Sequence, residues 1–184
     1  MLEDGSYLTS PRFPQFSPFS SVSLYYPPKK TGTIHPGKML MKKLPGHGTC
    51  FVCGSDNPHG IGLTWYADGK GIVTSDFCLG EAQQGPPGYA HGGASAAILD
   101  EAMGAAVWLS SYNVAVVNLQ LDYHRPLPLG QQLTLTARLT RRFAHKIFAR
   151  GQICLPDGTI AVTGHGIYVK APHLFEPVRF RERS

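Results

Sequence analysis

From residue 132 to residue 139 polar and apolar residues alternate with a period of two: Leu133, Leu135, Ala137 and Leu139 fall against Gln132, Thr134, Thr136 and Arg138. That alternation predicts a strand with one buried face. Val117, Leu119, Leu121 and Tyr123, set against Asn118, Gln120, Asp122 and His124, predict another of the same kind. Two further strands, Ile147–Cys154 and Ile160–Lys170, flank Asp157-Gly158, and an earlier pair, Ile61–Tyr66 and Ile72–Cys78, flanks Asp68-Gly69. Asp-Gly between apolar runs is a strong hairpin signal. Between the early pair and the later four the period changes. Ala94 to Trp108 is small or apolar almost all round, the pattern of a helix enclosed by other structure rather than lying on a surface. An antiparallel sheet of about six strands buries such a helix by curling around it, and the expected class is α+β.

Asp100 and Glu101 interrupt the apolar helix. A carboxylate there is costly to bury unless it is paired or its chemistry is used. Upstream, Pro86 and Pro87 stop any earlier helix, while Gly92 and Gly93 leave their backbone N–H groups unshielded near the first turn. Donors at the positive end of a helix dipole suit an anion, or a carbonyl oxygen acquiring negative charge. An oxyanion site and a carboxylate on one helix point to acyl chemistry. Gly92 and Asp100 are eight residues apart, and a rise of about 1.5 Å per residue separates them by roughly 12 Å along the axis. One carbonyl cannot touch both. The simplest arrangement takes the acid from a second copy of the chain, giving a homodimer with two shared sites. Glu101 reads as the solvated or seam-facing neighbour of Asp100, and Ser95, with no nucleophile elbow around it, as a helix-packing residue.

The 184 residues with 42% hydrophobic content suit one domain with a real core. A net charge of +5 and a pI near 9.1 fit a phosphate-bearing small molecule as well as a nucleic acid. No Lys/Arg cluster is interleaved with aromatics, so nucleic acid is not an expected partner. No apolar run approaches a membrane span, and Glu3 and Asp4 put acid where a signal peptide carries base. Cys50, Cys53, Cys78 and Cys154 are too few for a disulfide scaffold, and a reducing, cytoplasmic location is expected. The Cys-x-x-Cys at 50–53 invites zinc, which needs about four ligands. His47, His59 and Cys78 are the candidates to complete the set, but no second ligand pair accompanies them. The expectation is no metal and a structural turn with two packed thiols. Prolines spread among Ser, Phe and Tyr mark residues 1–40 as an extended or disordered tail, with Met39 and Met41 as alternative starts. The domain is expected over 41–172, followed by a basic tail over 173–184.

Four stretches, in this order, carry a family resemblance: Cys50 to Leu63 at the domain entrance, Gln84 to Gly93 before the helix, Leu99-Asp100 within it, and Asn118 to Pro126 on the following strand. Over about residues 45–170 they resemble the hotdog-fold acyl-CoA thioesterases of the PaaI, phenylacetate-pathway type. The resemblance implies a hotdog dimer, often paired into a tetramer, that hydrolyses the thioester of acyl-CoA without metal or cofactor. By position, Gly92 is implied as the oxyanion donor with His91 supporting its loop, and Asp100 as nucleophile or general base acting from the other subunit. Gln84 and Gly93 fall beside the oxyanion element. Relatives commonly have Ser or Thr two residues before the position of Asn118, where this chain has Val116, and Asn118 is the nearest substitute. Arg125, Arg142 and Lys146 are the basic candidates for the CoA phosphates, among a set that also includes Arg141 and Arg150. Tyr89, Met103, Trp108 and Val116 are candidates for the acyl pocket. The substitution at Val116 keeps a second reading open, a non-catalytic hotdog protein that binds acyl-CoA.

Overall fold

The computed structural model describes residues 41–175; the expected 1–40 tail and residues 176–184 lie outside them. Seven strands and one long helix follow one another: β1 (Lys42–Lys43), β2 (Tyr66–Ala67), β3 (Ile72–Phe77), α1 (Gly92–Trp108), β4 (Val114–Tyr123), β5 (Leu133–Phe143), β6 (Lys146–Cys154) and β7 (Ile160–Lys170). They form one antiparallel sheet in the order β1-β2-β3-β5-β6-β7-β4. The helix lies against β3 to β7, so the α+β expectation of a sheet curled on a central helix holds. The count rises by one through the short β1.

Alternation does the positioning. Leu133, Leu135 and Ala137 of β5, Ile147, Ala149 and Ile153 of β6, and Val162 and Tyr168 of β7 are buried toward the helix. Ile98, Leu99, Ala102 and Met103 meet them, each fully buried. Burying one such large side chain contributes about 1.5–3 kcal/mol. Close approach depends on two sheet positions with no side chain: a Cβ on Gly151 would lie 2.9 Å from Leu99 Cδ2, and one on Gly164 would lie 3.0 Å from Leu121 Cδ2. The helix ends where Ser111 turns left-handed at φ 65°, a conformation that L-residues with a Cβ adopt rarely.

Two strand expectations change. Ile61–Tyr66 is a strand only at its last residue; Ile61 and Leu63 instead donate their N–H groups to Phe51 and Val52 carbonyls, tying an extended segment to the Cys-x-x-Cys loop. On β4 the expected face is only half covered. Leu119 and Leu121 pack on the core, but Val117 and Tyr123 are exposed. The physical reason is that β4 is the sheet's edge, paired with β7 alone, and a register shift between Val116 and Asn118 leaves Val117 without a cross-strand partner.

Candidate active site

The loop before α1 is built by its own backbone. The Gly85 N–H donates to the Tyr89 carbonyl and the Tyr89 N–H to the Pro86 carbonyl, each at 2.9 Å, Gln84 Oε1 accepts from the Gly88 N–H at 3.3 Å, and His91 N–H donates to the Gln83 carbonyl at 2.7 Å. His91 then caps the helix, its Nδ1 accepting from the Gly93 N–H at 2.9 Å. Histidine does here what Ser or Asp does at other helix starts. Gly93 was expected as a free donor and is not one. Gly92 keeps that role: among the described residues nothing accepts its N–H. Its carbonyl accepts from the Tyr123 hydroxyl at 2.9 Å, which anchors the helix start to the end of β4.

Two turns further along, Asp100 is half-buried and lines a cavity of about 310 Å³. Trp65, Trp108, Tyr112, Val116 and Tyr168 form much of its wall. The Tyr168 hydroxyl lies 2.9 Å from both Asp100 Oδ1 and the Asp100 backbone oxygen, so one proton is shared between two acceptors. Burial pushes the Asp100 carboxyl up from its ordinary value, the Tyr168 hydrogen bond pulls it down, and the neighbouring Glu101 charge adds a further push upward. Burial, followed by the Asp100 carboxylate, pushes the Tyr168 phenol up, so it stays a donor. The Trp65 indole N–H is buried and finds no acceptor among the described residues.

Glu101 was expected to be solvated or to face a dimer seam, and within this chain it is half-buried and held by side chains of the β1–β2 loop. Its Oε1 lies 3.1 Å from His47 Nδ1 and accepts from the Cys53 thiol at 3.2 Å. Burial, then the Glu101 carboxylate, pushes the Cys53 thiol up to about 12.

The remaining candidates divide between the ends of the helix. Gln84 and Arg125 stand near its start, where the Ala90 N–H donates to the Leu127 carbonyl and the Arg125 N–H to Ala161. Arg142 and Lys146 stand at the tip of the β5–β6 hairpin, near the helix end. Arg142 donates to the Tyr112 hydroxyl at 3.2 Å and stacks over that ring, which Lys170 approaches from 4.6 Å. A second, more open concavity shares Trp108, Tyr112 and Asn113 with the first and adds Lys42 and Lys170. Asn118 is exposed on β4 and does not line the Asp100 cavity. Of the four acyl-pocket candidates, Trp108 and Val116 line that cavity; Met103 is packed in the core and Tyr89 is exposed on the loop.

Sequence reading missed Tyr168, Tyr123 and Trp65. A signal for the first was present: Val162, Gly164, Gly166 and Tyr168 share the inward face of β7, and a lone hydroxyl on such a face needs a partner.

A sheet wrapped on one apolar helix, with a free amide at the helix start and an acid midway along it, defines a hotdog-fold domain. Comparison with known proteins agrees. Residues 87–162 match the family model of the thioesterase superfamily, and they run from the loop before α1 into β7. Over 87 residues the chain is 32% identical to the acyl-coenzyme A thioesterase THEM4 of Xenopus laevis, covering 47% of this chain and 39% of that protein. The chain therefore spans about two-fifths of that relative's length. A crystal structure of a thioesterase superfamily protein superposes with a TM-score of 0.65 at 33% identity, covering 67% of this chain and 61% of the other. The PaaI protein of E. coli shares the fold at a TM-score of 0.56 and 16% identity, over 60% of this chain and 80% of its own. No helix among the described residues is long and apolar enough to cross a membrane.

Proposed function

We propose that this chain is an acyl-CoA thioesterase that works as a homodimer, with the Gly92 amide of one subunit and the Asp100 carboxylate of the other acting on one thioester. The observation that carries the reading is the Asp100 carboxylate set in the wall of an apolar cavity and held by the Tyr168 hydroxyl. Gly92 does not line that cavity. This supports the division of labour that helix rise requires, since roughly 12 Å of helix separates the two groups. The exposed edge of β4, with Val116, Val117 and Tyr123 on it, offers a second copy both a strand to extend and apolar surface to cover.

In this reading the thioester carbonyl accepts the Gly92 N–H. Asp100 removes a proton from water, the hydroxide adds to the carbonyl carbon, and the developing oxyanion is held at the helix start. The carbon–sulfur bond then breaks, CoA leaves as a thiolate, and the proton held by Asp100 passes to it directly or through solvent, which restores the carboxylate. Direct attack by Asp100 to form an anhydride, later hydrolysed, uses the same two groups. The acyl chain occupies the cavity beside Trp108 and Val116. Lys42, Lys170 and Arg142, clustered around Tyr112, supply positive charge for the CoA phosphates, and Arg125 does so at the other end of the helix.

The test is free-thiol release from a panel of acyl-CoAs, applied to Asp100→Asn, to Gly92→Pro, and to the two inactive variants mixed and reassembled. Proline is tolerated at the first position of a helix and lacks the N–H. Each mixed dimer restores one intact site of two, so a random mixture recovers about a quarter of wild-type activity if the site is shared across the interface. No recovery from mixed dimers overturns the shared site. Tight acyl-CoA binding without turnover in the wild type selects the non-catalytic reading, which is favoured by the absence of a hydroxyl at Val116 in the wall of the Asp100 cavity.

A further inference from the structure

The loop between β1 and β2 runs from Leu44 to Trp65 with no helix or strand of its own. Loops of that length in a compact domain are uncommon unless something pins them. This one folds back on itself at the Cys-x-x-Cys: Cys50 N–H donates to the His47 carbonyl at 2.9 Å, Gly54 N–H to the Cys50 carbonyl at 3.0 Å, and Asp56 N–H to the Gly48 carbonyl at 3.0 Å. The turn is so tight that a Cβ on Gly54 would lie 2.4 Å from both the Cys50 nitrogen and the Gly48 oxygen. Its folding brings Cys50 and Cys53 onto the same side as His47. The helix then adds a fourth group, Glu101.

His47, Cys50, Cys53 and Glu101 each offer one ligand atom, and all four atoms lie within 4.8 Å of one another. His47 Nδ1 is 3.1 Å from Glu101 Oε1, Cys53 Sγ is 3.2 Å from the same oxygen, and Cys53 Sγ is 3.7 Å from His47 Nδ1. A tetrahedral zinc with bonds of about 2.0 Å to nitrogen or oxygen and 2.3 Å to sulfur sets its ligand atoms roughly 3.3–3.8 Å apart. The first three spacings already fall close to that range. Cys50 completes the tetrahedron by a small inward shift, and its sulfur has an orienting donor in the Val52 N–H at 3.4 Å. Such N–H donors to thiolates are the outer-layer contacts that metal sites use to aim their ligands. The donor set of two thiols, one imidazole and one carboxylate is a zinc set by chemistry as well as by spacing. His59 and Cys78, the other candidates in the sequence, are not part of it.

We propose that His47, Cys50, Cys53 and Glu101 bind a zinc ion that fastens the Leu44–Trp65 loop to helix α1. Binding releases one proton from each thiol to solvent. The ion takes two thiolates, the Glu101 carboxylate and the lone pair of His47 Nδ1, leaving the site with one net negative charge. Four protein ligands close the coordination sphere, so the ion is structural and has no open position for water. Its place is nevertheless consequential: His47 and Glu101 line the cavity that holds Asp100, and fixing Glu101 fixes the wall next to that carboxylate.

The test uses the full chain, expressed with zinc supplied, and reads metal rather than turnover, so its result is independent of whether the protein hydrolyses acyl-CoA. Elemental analysis after dialysis is expected to find about one zinc per chain, lost in Cys50→Ser/Cys53→Ser and held less tightly in Glu101→Gln in competition with a chelator. Replacement by cobalt is expected to give thiolate-to-metal charge-transfer absorption. Should the double variant fail to fold, alkylation of the wild type serves instead: Cys50 and Cys53 are expected to resist until a strong chelator is added, while Cys78 reacts throughout. Zinc content unchanged in the double variant overturns the proposal. So does a wild type without zinc whose Cys50 and Cys53 alkylate equally with and without chelator, or a Cys50–Cys53 disulfide in the protein purified under reducing conditions.

Discussion

One helix of 17 residues carries two contrasting regions. Its start is assembled from neighbours in sequence: His91 caps Gly93 two residues away, and Gln84 holds Gly88 four residues away. Its middle is assembled from afar, with Tyr168 reaching Asp100 across 68 residues and His47 and Cys53 reaching Glu101 across 54 and 48. The start is exposed and presents backbone; the middle is half-buried and presents Asp100, whose ionisation the surroundings alter. Local chemistry is encoded as a motif, whereas the environment of an acid is a property of the fold.

Replacing Asp100 should separate the regions most sharply. In Asp100→Asn, acyl-CoA hydrolysis is expected to fall by about 10²- to 10⁴-fold, the range over which a positioned general base acts, with the fold intact by circular dichroism. Unchanged turnover removes Asp100 from the mechanism. Gly92→Pro should follow, with a loss of about 10²- to 10³-fold in kcat, as for removal of one oxyanion donor, and little change in helix content. Turnover close to wild type in that variant means that the helix start plays no part in the chemistry. A smaller effect is expected from His91→Ala, which deletes the cap at the helix start: about 1 kcal/mol in thermal or denaturant unfolding. A change in turnover much larger than that stability loss explains would give the His91 imidazole a contact with substrate.

The same contrast governs what the sequence made legible. Strands β3 to β7 and α1 follow from periods of two and from an apolar run, because each buries one face or its whole circumference. The free Gly92 amide was readable because proline, histidine and glycine lie together in the chain. The partner of Asp100 was not, since nothing in the alternation of β7 says that Tyr168 meets that residue. The partners of Glu101 were missed for the same reason. Helical spacing gives its position along α1 but cannot reveal that a loop some fifty residues earlier delivers His47 and Cys53 to it. The exposed Val117 and Tyr123 were read as buried because an alternating edge strand looks the same in sequence whether its second neighbour belongs to the same chain or to none.

Tyr168→Phe gives the smallest and most specific effect on turnover. Loss of the hydroxyl removes the hydrogen bond that opposes burial at Asp100, so the carboxyl is expected to rise further above its ordinary value. A base works only when ionised. The acidic limb of the kcat profile in wild type should therefore stand above the ordinary aspartate range and move to still higher pH in the variant, with turnover well above that limb little changed. Stability carries the matching sign. Because the folded value lies above the unfolded one, the protonated acid favours the folded state; that contribution is full below the unfolded value and disappears as pH rises through the folded one. Tyr168→Phe moves the upper edge of this window to higher pH and, by leaving Asp100 Oδ1 without its donor, costs about 1–3 kcal/mol. An acidic limb unmoved between wild type and variant, measured with the same acyl-CoA, shows that the group titrating in catalysis is not the one this tyrosine holds.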